Sequence, residues 1–367
     1  MDAAFKSAAY RFGKVRSIRE SGGFPFFNGL EFGKGPLLPF EFGGKAVPTC
    51  RTEHICWFDH TQTSVQRLIS GNDTVVMKVY RCRDDSEVPH HDIEVRMLSL
   101  LSRLVARDVS PHFVLPIGRL LVPVRTANVL TGRVLHDGQY SVLLSEHADT
   151  SLSALIQLRE ITPFQLKCLI FQVIYTLAVI QRIMPSFRHN DLHASNVLVQ
   201  RFDGQSIERA APGACTVYTF RNTKFYLPVK RCDMRALLWD FFYAACKDRS
   251  DLLPTRHADG MYSVRNCYYD MYKLLDSIHY LLPKASGELR DFIDSVVPDS
   301  KKCMCHQLTG KARAKLGIET NEFLTCRRVL LKHPYFNELK VKPEQLTVLA
   351  EYKSRQVEQS QQVEKSK

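Results

Sequence analysis

A chain of 367 residues with 45% hydrophobic and 24% charged side chains has the length and balance of a soluble globular protein with a sizeable core. The net charge of +12 favours acidic partners such as acidic protein segments, phosphorylated ligands or nucleic acid, although the Lys and Arg are scattered rather than striped. Eleven cysteines at irregular spacings, with no secretory leader read ahead of them, argue against a disulfide framework and for reduced thiols in an intracellular compartment.

Residues 1–47 read as an extension. Ser21 to Lys45 holds seven glycines, six phenylalanines and three prolines, which is too broken for a helix. Gly33 with Gly35, or Gly43 with Gly44, are candidates for a phosphate-cradling loop. More than thirty residues separate them from the first buried lysine, where a single short hairpin is expected.

From Cys50 the chain turns to strands, His54 to Phe58 and Val65 to Ile69, followed by a turn at Ser70-Gly71-Asn72-Asp73. The β-branched run Thr74 to Tyr80 comes next and carries Lys78. A lysine inside a buried strand is costly unless it is paired. Glu94, sixteen residues on in a stretch of helical periodicity, is the candidate partner. Strands near Phe113 to Leu121 and Tyr140 to Leu144, with a polar hairpin between them, complete a β-rich half.

At Ser145-Glu146-His147-Ala148 the period changes from two to 3.6, which marks a boundary with a helical half. A helix is expected over Ser151 to Leu158. Thr162-Pro163 starts another that runs to Met184. Lys167, Gln172, Gln181 and Arg182 interrupt the apolar run of this second helix, so it reads as a buried helix and no membrane span is expected.

Phe187 to Val199 reads F-R-H-N-D-L-H-A-S-N-V-L-V. His189, Asp191 and Asn196 have the H-x-D-x-x-x-x-N spacing of a phosphoryl-transfer loop entering a buried strand. Such chemistry needs one carboxylate for the attacking hydroxyl and an amide oxygen for a metal on the phosphates. Between residues 200 and 235, Thr216 to Phe220 and Lys224 to Val229 read as an inserted hairpin or pair of strands. The stretch Ala236 to Tyr243 holds an apolar strand that ends in Asp240, with Phe-Phe-Tyr after it. Helices are expected over Asn266 to Leu282 (with Asp270), Gly287 to Val297 and Thr320 to Leu331, then His333-Pro-Tyr-Phe336. Residues 349–367 form a polar tail. Cys303-Met-Cys305-His306 is a weak metal candidate without a second ligand pair.

In this order, strand lysine, helix glutamate, hinge, H-x-D loop and Asp-Phe, the chain resembles the eukaryotic-type protein kinases over roughly residues 50–340. Its Phe-Arg-His-Asn-Asp-Leu-His start, long insertion and Trp-Asp-Phe-Phe look like the divergent Ser/Thr kinases of large double-stranded DNA viruses, and His193 is also similar to haspin-like kinases. The resemblance implies an α+β, two-lobed fold, with a small β-rich N-lobe over 48–145 and a larger, mostly helical C-lobe over 146–348. ATP and Mg²⁺, or alternatively Mn²⁺, would lie between them. Lys78 would pair the phosphates and be held by Glu94, with Glu146 at the hinge beside the nucleotide. Asp191 would orient or deprotonate a Ser or Thr hydroxyl, His193 would reach the transferring phosphoryl group, and Asn196 and Asp240 would hold the metal. Asp270 would brace the loop backbone.

The departures are Asn190 in place of an arginine, His193 in place of a lysine, Phe242 in place of a glycine, and no Ala-Pro-Glu after Asp240. The same Asp-Leu-His-x-x-Asn pattern occurs in small-molecule kinases of the aminoglycoside and choline phosphotransferase type. A pseudokinase scaffold is the third reading, which the retention of Lys78, Asp191, Asn196 and Asp240 disfavours. Replacing Lys78 or Asp240 by alanine is expected to abolish turnover and leave the fold intact. The viral resemblance implies acidic virion or host proteins as substrates, in the host cytoplasm or the virion.

Overall fold

The computed structural model describes residues 8–20, 51–58, 63–70, 73–82, 90–202, 204–211, 213–249, 252, 267–282, 287–297 and 324–342. The fold mixes α and β, with its largest sheet in the N-terminal part. Helix α1 (Ala8–Glu20) precedes three antiparallel strands, β1 (Arg51–Phe58), β2 (Thr63–Ser70) and β3 (Asp73–Cys82). Then come α2 (His90–Ala106), β4 (Pro116–Pro123), α3 (Val124–Thr131) and β5 (Gln139–Glu146). The sheet order β1-β2-β3-β5-β4 places the lysine strand β3 at the centre. Alternation along β3 buries Val75, Met77 and Val79 on one face and Val76, Lys78 and Tyr80 on the other.

In the N-terminal part, two elements differ from expectation. The polar hairpin between the last two strands contains α3: Val124, Ala127 and Leu130 line one face against the core, and Gly132 at φ 64° closes the helix in the left-handed conformation. The supposed extension contains α1, whose Val15 and Ile18 reach the core and whose Arg11 is 2% exposed. The glycines at 33, 35, 43 and 44, the Cys303-Met-Cys305-His306 cluster and the 349–367 tail lie outside the described residues.

Beyond β5, the short β6 (Thr150–Ser151) and α4 (Leu152–Gln157) lead to α5 (Pro163–Ile183). Thr162 Oγ1 accepts from the Gln165 N–H while Gln165 Oε1 accepts from the Thr162 N–H, a reciprocal cap that fixes where α5 begins. Helix α5 is long and apolar enough to cross a membrane, and 83% of its most apolar window is buried inside the fold. Its Lys167 is accommodated by Glu288 at 2.7 Å, Glu338 at 3.0 Å and the Tyr335 ring at 4.5 Å.

The strand β7 (Phe187–Arg188), a 3-10 turn at Ala194–Asn196 and β8 (Val197–Arg201) carry the loop. After α6 (Gly204–Glu208), the two expected strands β9 (Cys215–Phe220) and β10 (Thr223–Pro228) pair as an antiparallel hairpin. Next, β11 (Met234–Leu238) pairs with β8, and β12 (Ala245–Cys246) pairs with β7. Buried His112 ties hairpin to strand: its Nδ1–H donates to the Ala236 carbonyl at 2.8 Å and its Nε2 accepts from the Tyr218 hydroxyl at 3.1 Å. Burial pushes this imidazole down to about 3, so it stays neutral. Helices α7 (Tyr269–Leu281), α8 (Glu288–Val296) and α9 (Cys326–Lys332) and a 3-10 segment at Pro334–Lys340 finish the fold. Helix α9 starts later than its apolar pattern suggests because Thr325 caps it, accepting from the Arg328 N–H at 3.3 Å.

Candidate active site

Strand β3 and helix α2 build the first half of the site. Lys78 Nζ donates to both Glu94 oxygens at 3.0 Å and to Asp240 Oδ1 at 2.7 Å. Lys78 is 4% exposed and Glu94 fully buried. Burial works against the ammonium, but Asp240 and Glu94 outweigh it and raise Lys78 above the ordinary lysine value. Burial pushes Glu94 up to about 7, against the pull of Lys78. The rings of Tyr80, Trp239 and Phe242 stand 5.5, 5.5 and 5.7 Å from Nζ. Apolar walls of this kind strengthen every charge interaction inside them.

Asp240 follows β11 in the left-handed region, φ 62° and ψ 67°. That conformation costs a non-glycine residue about 1–3 kcal/mol and is held by its surroundings. One such restraint is Trp239, whose N–H donates to the Asn196 carbonyl at 3.2 Å and whose carbonyl accepts from His189 Nε2 at 2.9 Å. These two bonds stitch the Asp240 strand to the loop. Phe241 then packs between His189 and Phe113, at ring separations of 4.8 and 6.4 Å.

Helix α7 supports the loop from below. Asp270 accepts from the His189 N–H at 2.8 Å and the Asn190 N–H at 2.9 Å. One turn on, Lys273 Nζ donates to the Asn190 carbonyl at 3.2 Å and to Asp191 Oδ1. A turn further, Ser277 Oγ accepts from the Ala194 N–H at 2.9 Å. Positions i, i+3 and i+7 share one helix face, so three side chains of α7 grip the loop in register. Asn190 adopts φ 64° there and donates from Nδ2 to the Tyr243 carbonyl at 2.9 Å. Sequence reasoning finds Asp270 and misses Lys273 and Ser277. The signal that finds them is the recurrence of polar residues at that spacing on an otherwise buried helix.

Asp191 therefore sits among donors. Asn196 Nδ2 donates to the Asp191 carbonyl at 2.9 Å and lies 3.4 Å from Oδ2, and His193 Nε2 is 3.7 Å from the same oxygen. Burial acts to raise the carboxyl, but His193 and Lys273 outweigh it and hold Asp191 below the usual carboxylate range. With its Nδ2 committed to Asp191, Asn196 has its amide oxygen available as a ligand. Among the described residues no group of three His, Cys, Asp or Glu is placed to hold a metal by itself. A hard-oxygen pair, Asn196 Oδ1 and the Asp240 carboxylate, suits Mg²⁺, which is commonly bound through one or two protein ligands and completed by phosphate and water.

Glu146, assigned above to the nucleotide by its place at the hinge, turns its carboxylate elsewhere. It pairs with Arg11 and accepts from the Leu115 N–H at 2.8 Å. A cleft of about 590 Å³ lies between α5 and the inserted hairpin, lined by Tyr175, Arg182 and Thr216 to Phe220 among others; none of the residues assigned above lines it.

No protein-family model matches the chain. A protein of Acanthamoeba polyphaga mimivirus named "Putative serine/threonine-protein kinase" is 26% identical over 324 residues, covering 76% of this chain and 67% of that protein. The similarity is distant and supports a kinase-like relationship.

Proposed function

We propose that this chain is a protein kinase that transfers the γ-phosphoryl group of ATP, with Mg²⁺, to Ser or Thr hydroxyls. The observation that carries the reading is one joined constellation: the buried Lys78–Glu94–Asp240 ion cluster beside a loop that presents Asp191 and Asn196. The named mimivirus relative supports the same reading. ATP supplies the group transferred, and Mg²⁺ neutralises charge on its phosphates.

The residues divide the remaining work. Lys78, fixed by Glu94, holds phosphate oxygens. Asn196 and Asp240 hold the metal. Asp191 orients the acceptor hydroxyl and takes its proton, and His193, at the edge of the loop, meets the transferring group.

We read residues 48–145 and 146–348 as the two lobes around this site, with an insertion at about 200–235, which a nucleotide-bound crystal structure would test. Acidic virion or host proteins are the proposed acceptors, in the host cytoplasm or the particle. Fractionation of infected cells and purified particles checks the location.

Labelled phosphate should pass from ATP to Ser or Thr of protein acceptors with the wild-type chain, and not with Asp191→Asn, assayed at a temperature where circular dichroism shows both to be folded. Label confined to small hydroxyl compounds would move the chain to the small-molecule kinases. No transfer together with no thermal stabilisation by ATP would make it a scaffold.

A further inference from the structure

Lys273 is 5% exposed and lies in the middle of α7, where an unpaired ammonium is expensive. Its ammonium donates toward the loop, to the Asn190 carbonyl at 3.2 Å and to Asp191 Oδ1. Lys273 is the cation that pairs with that oxygen. Arg188 stacks on the Tyr269 ring at 4.2 Å, and His193 stands off the opposite oxygen, Oδ2. The two carboxylate oxygens of Asp191 are thus in different situations. Oδ1 is held from beneath by a rigid helix, and Oδ2 faces Asn196 and His193.

We propose that Lys273 is a positioning residue for phosphoryl transfer, clamping Asp191 through Oδ1 so that Oδ2 is the oxygen presented to the acceptor hydroxyl. The inference rests on the kinase reading above and adds a residue outside the loop to its machinery. A clamp mounted on a helix fixes the carboxylate better than a loop side chain does, because the packing of α7 sets its direction. It also holds the Asn190 carbonyl, so the backbone just before Asp191 and the Asp191 side chain are restrained by the same ammonium. Asp270 and Ser277, on the same face, restrain the backbone on either side.

The test uses the full chain and the Lys273→Met variant. A misplaced catalytic carboxylate should lower kcat by about 10²-fold. The KM for ATP and the binding of a fluorescent ATP analogue should not change, because Lys78, Asn196 and Asp240 are untouched. A second readout needs no turnover. Lys273→Met should lower the melting temperature in the wild-type background, where it strands the Asp191 carboxylate. It should lower it less in an Asp191→Asn background, where no charge is stranded.

If the single variant fails to fold and the double variant folds, the clamp is supported. An unchanged kcat in Lys273→Met, equal losses of melting temperature in the two backgrounds, or a double variant that also fails to fold would overturn it. Should the wild-type chain transfer phosphate to nothing, the kinase reading fails, and the melting cycle still decides whether Lys273 clamps Asp191.

Discussion

Lys78→Met is expected to abolish phosphoryl transfer and also to weaken the fold, which departs from the simple expectation of a dead but intact protein. Glu94 is fully buried and accepts two bonds from Lys78 Nζ at 3.0 Å. Removing one partner of a buried ion pair costs about 3–5 kcal/mol when the other stays charged. Glu94 has an escape, which is to take up a proton. Burial already pushes its carboxyl up to about 7 in the presence of Lys78, and without that cation it should rise further.

The sign follows from linkage. A folded-state value above the unfolded one gives stability that is complete below about 4.5 and is lost as pH rises through about 7. Urea unfolding of Lys78→Met between pH 5 and 8 should therefore show falling stability, with a slope of up to about 1.4 kcal/mol per pH unit. Adding Glu94→Gln should flatten that slope. Equal stability of Lys78→Met at both ends of the range would contradict the buried pair.

Arg11→Ala is expected to have an effect of similar size from the other end of the chain. The Arg11 guanidinium donates to the Pro111 and Phe113 carbonyls at 2.5 Å each and pairs with Glu146, which is 9% exposed. Truncation strands a buried carboxylate and removes a donor from two carbonyls. At about 3–5 kcal/mol this corresponds, for a chain of this length, to a melting temperature lower by roughly 4–7 °C. Deleting residues 1–20 should match the point variant or exceed it, since Val15 and Ile18 leave the core as well. Calorimetry that finds Arg11→Ala melting with the wild type would show that α1 does not dock in solution.

What could be read from the sequence depended on how far each residue's reason lies from it along the chain. Lys78 stands out because a charge inside a β-branched run has no ordinary explanation, and Glu94 because helical periodicity puts it within reach. Asp191 and Asn196 are fixed by a spacing that one short loop enforces. Lys273 is hidden because a lysine one turn after Asp270 looks like a solvated position until α7 is docked under the loop. Arg11 is hidden for a similar reason: α1 carries charges around most of its surface, and its partner Glu146 is 135 residues away. The helix α3 is masked by Thr126, Asn128 and Thr131, polar residues that favour turns when read locally. Glu146 shows the converse, a residue picked out by the change of period whose side chain serves the fold by pairing with Arg11.

Phe242 has a consequence for small molecules that compete for this site. Its ring packs edge-on to Tyr80 at 6.2 Å and to Tyr243 at 5.1 Å, directly after Phe241 has filled its niche beside His189. A glycine there would let residues 240–242 swing as a hinge. With Phe242, a compound that must drive Phe241 out has to dislodge a second aromatic ring as well. Its apparent affinity falls by the fraction of molecules already in that rare state. Phe242→Gly should tighten such compounds in a displacement titration and leave unchanged those that accept Phe241 where it is. Ligands for this site are therefore best matched to the arrangement in which Phe241 stays beside His189 and Phe113.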